Sequence, residues 1–254
     1  MTLRRPRRAV ALAFALGVSA LDGLLSRLRG PISVEQHASW MQSTARRVLD
    51  GLGIQLVIEG HVPACGLVVS NHLSYLDIAI LSAATRSIFI SKTEIGAWPF
   101  FGMLARMGGT IFLDRRSRVS AGVAAGEIAA RLRLGVPVLL FPEGTSTDGS
   151  TVLRFYPRLF QPAIETGAPI TAAAIRYELN DGLDEHEMCW FGDAGFLTHL
   201  WKALEMREFS ARIRFGEPRV YADRKIAAAD TRNEVVAMRQ EWIGAAAAQD
   251  RVPA

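Results

Sequence analysis

Between Ile54 and Phe215, short apolar runs of β type take turns with longer stretches of helical character, and this alternation limits the fold more than any other feature of the chain. The plainest run is Val138-Leu139-Leu140-Phe141, apolar at every position. Side chains switch faces along a strand, so an unbroken apolar run fits a strand covered on both sides. The same reading places strands at residues 55–59, 67–70, 87–91, 110–113, 137–141, 170–177 and 212–215. Helices are expected at 77–84, 95–107, 119–134 and 156–166, with Asp230 capping a last one over 230–248. The acidic, turn-rich segment 180–191 reads as a loop. Such alternation predicts an α/β domain over residues 54–254, a mostly parallel central sheet flanked by helices.

Residues 1–53 differ in kind. Arg4, Arg5, Arg7 and Arg8 precede an uncharged, largely apolar run from Ala9 to Leu21 that ends at Asp22. That run is shorter than the ~20 residues that span a bilayer comfortably. A cleaved signal peptide, a buried core helix and a helix lying in the membrane interface all fit it. The interfacial reading accounts for the arginines, including Arg27 and Arg29 at its close, because anionic head groups attract them. A second helix over 36–52, carrying Trp40, is expected to pair with the first, making an N-terminal helical membrane-associating segment.

Charge balance is mild, 29 basic residues against 25 acidic, a net +4. That suits an anionic membrane surface or substrate as well as it suits nucleic acid, but no interleaving of basic and aromatic residues favours nucleic acid, and none is expected as a partner. Cys65 and Cys189 stand far apart with no Cys-x-x-Cys, so neither a disulfide framework nor a metal site is expected.

In open α/β sheets chemistry gathers beyond the carboxyl ends of strands. Three such loops carry reactive side chains. After residues 67–70 comes Asn71-His72-Leu73-Ser74-Tyr75-Leu76-Asp77, in which Asp77 can fold back on His72. A neutral imidazole takes a proton from an alcohol near neutral pH, and a carboxylate fixes its tautomer. Asp77 as a simple helix cap is the competing reading. After 137–141 comes Pro142-Glu143-Gly144-Thr145-Ser146, with a carboxylate, hydroxyls and amides suited to an anion or oxyanion; a polar turn tip is the alternative. After 110–113 comes Asp114-Arg115-Arg116, where a guanidinium fork matches phosphate oxygens, or simply opens a solvated helix.

Taken in order, these blocks resemble the glycerolipid acyltransferase family typified by bacterial 1-acyl-glycerol-3-phosphate acyltransferase. The family's His-x4-Asp falls on His72 and Asp77, and its Lys-x-Glu-x4-Pro-x2-Gly on Lys92, Glu94, Pro99 and Gly102. Its acceptor-binding arginine falls on Arg115 within Gly109-Thr110-Ile111-Phe112-Leu113-Asp114-Arg115, and its third block on Phe141-Pro142-Glu143-Gly144-Thr145. The resemblance spans roughly residues 55–220. It implies O-acyl transfer from acyl-CoA or acyl carrier protein, with no further cofactor, to a lysolipid hydroxyl, with His72 as base and Asp77 orienting it. Arg115, Glu143, Gly144, Thr145, Ser74 and Lys92 are then substrate contacts. It implies membrane lipids as partners and the cytoplasmic face of the membrane, where thioester donors are found. The first acceptor implied is 1-acyl-glycerol-3-phosphate. Ser146 departs from the arginine usual after Glu-Gly-Thr and resembles instead the members that acylate lyso-ornithine lipid. A lipid or thioester hydrolase using the same pair on water is the rival chemistry.

Overall fold

The computed structural model describes residues 4–114, 117–180 and 183–249. In chain order the elements are α1 (Arg4–Leu28), α2 (Val34–Leu52), β1 (Ile54–Glu59), β2 (Leu67–Ser70), α3 (Leu76–Ala84), β3 (Ile88–Lys92), α4 (Thr93–Gly96), α5 (Pro99–Met107), β4 (Ile111–Leu113), α6 (Arg118–Arg133), β5 (Val138–Leu140), α7 (Gln161–Thr166), β6 (Ile170–Glu178), α8 (Phe196–Glu205), β7 (Phe209–Phe215) and α9 (Arg224–Gln249). The strands form one seven-stranded sheet in the order β1-β7-β6-β2-β5-β3-β4. Neighbouring strands are parallel throughout, save β6 against β7. The predicted mixed α/β architecture is thus the one observed.

Helices cover both faces of the sheet. Val68, Leu139, Ala173 and Ile175 point into a core shared with α2, α3 and α8, through Leu49, Leu52, Ile80, Leu81 and Leu204. Leu67, Val69, Val138 and Leu140 point the other way, onto Ile128 and Leu132 of α6 and Val235 and Trp242 of α9. Central strands buried on both sides are why 138–141 reads as unbroken apolar sequence.

Where element boundaries differ from expectation, local chemistry explains them. The helix expected over 95–107 breaks into α4 and α5, because Pro99 lacks the amide needed to continue α4 and instead starts α5. The two pieces then fold tightly together: a Cβ on Gly102 would lie 2.4 Å from the Gly96 carbonyl oxygen. Pro157 and Pro162 likewise divide 156–166 into a 3₁₀ turn, Pro157–Phe160, and α7. The last helix begins six residues before Asp230, because Asp223 accepts from the amides of Lys225 (2.7 Å) and Ile226 (2.9 Å) and is the residue that caps it. Strand β7 starts at Phe209, and its alternating burial runs its whole length. The loop 180–191 contains a 3₁₀ turn, Glu185–Met188.

The N-terminal apolar run lies within a helix of 25 residues, long and apolar enough by length and composition to cross a membrane. It continues past Asp22, whose carboxylate pairs with Arg47 of α2 at 2.7 Å. Ala15, Ser19 and Gly23 recur every fourth residue and are the buried positions of α1. The Trp40 indole donates to the Ser19 carbonyl (2.9 Å), joining α1 to α2. Val10, Phe14, Leu21, Leu24 and Leu28 are exposed. Two of the four N-terminal arginines are engaged by the protein rather than left for head groups. Arg5 pairs with Glu205 and lies over the Trp201 ring, and Arg8 donates to the Met206 carbonyl.

Arg239 of α9 ties the loops beyond β5 and β6 together. Its guanidinium, 5% exposed, donates to the Gly149 carbonyl (2.7 Å), the Glu185 carboxylate (2.6 Å) and the Ile175 carbonyl. Removing one partner of a buried pair strands the other charge, so Arg239→Ala is expected to lower the unfolding free energy by about 3–5 kcal/mol, measured by urea denaturation.

Candidate active site

The loops after β2 and β5, central neighbours in the sheet, converge at its carboxyl edge. Asn71 begins the first loop and is 1% exposed. Its side-chain amide donates to the Ile175 carbonyl (3.1 Å) and accepts from the Ile175 amide (2.9 Å), which continues the tie to β6 beyond the ladder's end. His72 follows at the rim, its side chain 17% exposed.

Asp77 has no exposed surface. Its Oδ2 accepts from the amides of Leu73 (2.6 Å) and Ser74 (3.0 Å) and lies 2.8 Å from His72 Nδ1. Its Oδ1 accepts from the Tyr177 hydroxyl of β6. Asp77 is therefore not the cap of α3: Tyr75 holds that position, without a side-chain bond, and the Asp77 carboxylate binds backward into the loop. With Nδ1–H donating to this anion, Nε2 is the basic nitrogen of the ring. Phe141 stacks on the imidazole at 4.0 Å between centroids and 9° between planes, which fixes the ring's remaining freedom.

Beneath His72 lies Glu143, 3% exposed. One of its oxygens accepts from the His72 amide (2.8 Å), the other from the Leu153 amide (2.6 Å). Both are used in bracing the two loops. Gly144, at φ 80°, turns the chain as a residue with a Cβ would not, and its amide closes that turn on the Phe141 carbonyl (3.1 Å). The Gly144 amide is thus donated within the turn. Thr147 donates its amide to the His72 carbonyl (2.9 Å), a further tie between the loops.

A cavity of about 450 Å³ opens at His72 and runs beneath α1 and α2. Its wall is mostly apolar and includes Leu12, Leu16, Val48, Phe89, Ile95 and Leu200. Gly144, Thr145, Ser146 and Lys92 also line it, and Lys92 is the only lysine or arginine among its described lining residues. Ser74 stands apart from this wall: it is fully buried and its hydroxyl accepts from the Leu76 amide (3.3 Å) at the start of α3. Arg115 lies outside the described residues. The Ser146 hydroxyl donates to the Trp190 carbonyl, and the Trp190 amide to the Leu73 carbonyl (2.8 Å), so the 180–191 segment docks on both loops. Tyr177, Phe141 as a stacking partner and Trp190 escaped the sequence reading. The one available signal was a tyrosine near the end of a strand with three successive alanines, Ile170-Thr171-Ala172-Ala173-Ala174-Ile175-Arg176-Tyr177.

A histidine oriented by a buried carboxylate, set at the edge of an α/β sheet, suits an enzyme that activates a hydroxyl. Comparison with known proteins agrees. The acyltransferase family model matches residues 54–176. A lyso-ornithine lipid O-acyltransferase of Pseudomonas aeruginosa is 32% identical over 223 residues, covering 86% of this chain and 84% of that protein. A second, of Brucella abortus, is 36% identical over 76% of this chain and 78% of its own. A 1-acyl-sn-glycerol-3-phosphate acyltransferase of Neisseria meningitidis is 36% identical over 59% and 58%. The crystal structure of the 1-acyl-sn-glycerophosphate acyltransferase of Thermotoga maritima shares the fold, with a TM-score of 0.65 over 94% of this chain and 98% of that one, at 19% identity. The chain belongs to the acyltransferase family.

Burial makes Glu143 a source of pH dependence in the fold itself. Desolvation pushes its carboxyl up from 4.5 to about 7, although the two amides oppose this. The folded state then holds more protons than the unfolded state between those values, so stability falls as pH rises through that window. Urea titrations from pH 4.5 to 7.5 are expected to show a decline of up to about 3 kcal/mol, and Glu143→Gln is expected to remove that slope.

Proposed function

We propose that this chain transfers a fatty acyl group from a thioester donor to the free hydroxyl of a lysolipid, with His72 as general base. The reading rests above all on the His72–Asp77 pair at the mouth of an apolar cavity. His72 Nε2 takes the hydroxyl proton as the oxygen attacks the thioester carbonyl carbon. The resulting tetrahedral intermediate collapses with cleavage of the carbon–sulfur bond, and the imidazolium returns the proton to the departing thiolate. Asp77 holds the tautomer and stabilises the imidazolium. The apolar wall suits the acyl chain, whose burial is worth ~0.8 kcal/mol per methylene. Lys92, at the rim, suits the anionic part of either acyl-CoA or acyl carrier protein.

For the acceptor we favour lyso-ornithine lipid, reversing the order the sequence motifs suggest. Two observations support this. The Ser146 hydroxyl is spent on the Trp190 carbonyl, so the position that carries arginine in phosphate-acceptor members offers no cation. The relatives aligned over most of both chains, from Pseudomonas aeruginosa and Brucella abortus, are named for that acceptor. A 1-acyl-glycerol-3-phosphate acceptor is the second reading, favoured by the Neisseria meningitidis relative and by Arg115. Membranes carrying the protein, given labelled acyl-CoA or acyl carrier protein, are expected to label lyso-ornithine lipid faster than 1-acyl-glycerol-3-phosphate. His72→Ala is expected to abolish both. Equal activity in that variant would remove the mechanism, and preference for the phosphate acceptor would restore the second reading.

We further propose that α1 holds the enzyme at the cytoplasmic face of the membrane through its exposed apolar side and Arg4, Arg7 and Arg27. Deleting residues 1–28 is expected to abolish sedimentation with anionic vesicles, with each arginine near the surface contributing ~1 kcal/mol. Unchanged sedimentation would move the anchor to α8, where Leu197 and Trp201 are exposed.

A further inference from the structure

Tyr177 belongs to none of the sequence blocks, yet among the described residues its hydroxyl and the His72 imidazole are the two side-chain donors on Asp77. We propose that Tyr177 is a positioning residue that sets the basicity of His72 by drawing off part of the negative charge of Asp77. This rests on the reading of His72 as base.

Packing alone accounts for the ring but not for the hydroxyl. The ring is 1% exposed and meets Phe209 edge-on at 5.8 Å between centroids, a place a phenylalanine would fill equally well. The hydroxyl is aimed at Asp77 Oδ1, the oxygen that neither loop amide reaches, while Oδ2 carries Leu73, Ser74 and His72. The tyrosine is also held firmly. Its backbone pairs with Ala211 in the β6–β7 ladder, and its amide donates to Glu185 Oε1 at 2.8 Å. Burial beside an anion keeps the phenol protonated, so it acts only as a donor. A donor on a carboxylate disperses its charge and weakens its pull on a neighbouring imidazolium.

Other titratable groups surround this relay. Glu143 approaches Asp77 from the loop after β5, and Glu185 and Cys189 flank Tyr177 from the 3₁₀ segment. Arg239 of α9 is paired with Glu185, which offsets that charge. Burial pushes the Cys189 thiol up, so it stays neutral. Glu143 is left as the group whose own titration overlaps the histidine range, and the comparison must be made against it.

The test is Tyr177→Phe, which removes the donor and keeps the ring. The His72 imidazole is titrated by NMR, and the acid limb of kcat/KM is followed against pH in the full-length protein, alongside Glu143→Gln to separate the Glu143 contribution. With the donor gone, His72 should bind its proton more tightly, moving both the titration and the limb upward by about one pH unit. A fluorinated tyrosine at position 177, a stronger donor of the same shape, should move both downward, and it carries the test if Tyr177→Phe folds poorly. An unmoved titration and limb in a folded variant overturn the proposal. So does a loss of rate equal at every pH, which would leave Tyr177 a packing residue. If His72→Ala retained activity, the base reading would fall, while the NMR titration would still decide whether Tyr177 acts on His72.

Discussion

One carboxylate with no exposed surface holds this site together. Asp77 sits at the start of α3, yet it turns its oxygens back to the loop it has just left and across to β6. A buried anion is costly unless its lone pairs are filled, and here two amides, a phenol and an imidazole fill them. The loop 71–76 has little choice of path once that is required. Its amides must point inward, His72 must swing to the rim, and the ring's Nδ1 must face the anion. The pair therefore depends less on the two residues themselves than on the burial of one of them.

Glu143 works in the same manner one loop away. It binds two backbone amides from different segments, and in doing so fixes the height of His72 against β5. Two buried acidic residues hold the histidine, Asp77 at its ring and Glu143 at its backbone amide. Arg239 adds a third tie from α9, through Gly149 and Glu185. His72 thus stands on short loops that hydrogen bonds to buried acidic side chains tie together.

Periodicity made the sheet legible. Unbroken apolar runs gave β2 and β5, alternation gave β7 in part, and the reactive loops follow from the strand ends. The family motifs point to His72 and Asp77, which the fold brings to hydrogen-bond distance, and to Lys92, which lines the cavity. Two kinds of information were missing from the linear pattern. The first was partnership at long separation: Tyr177 meets Asp77 a hundred residues away, and nothing in an alanine-rich strand announces which face its tyrosine takes. The second was direction. The resemblance implies substrate contacts at Glu143 and Ser74, yet a linear pattern does not say which way a side chain turns, and here both accept from backbone amides within the loops. Prolines at 99, 157 and 162 were visible, yet the long helical windows around them outweighed the breaks they impose.

The small residues Ala15, Ser19 and Gly23 let α1 lie close on α2, and that closeness brings Leu12 and Leu16 to the wall of the cavity. The N-terminal helix is consequently not a modular anchor. Another apolar helix of equal length could present a similar exposed side and still leave the cavity with a different wall, because Leu12 and Leu16 reach it from the same helix that exposes Val10, Phe14 and Leu24.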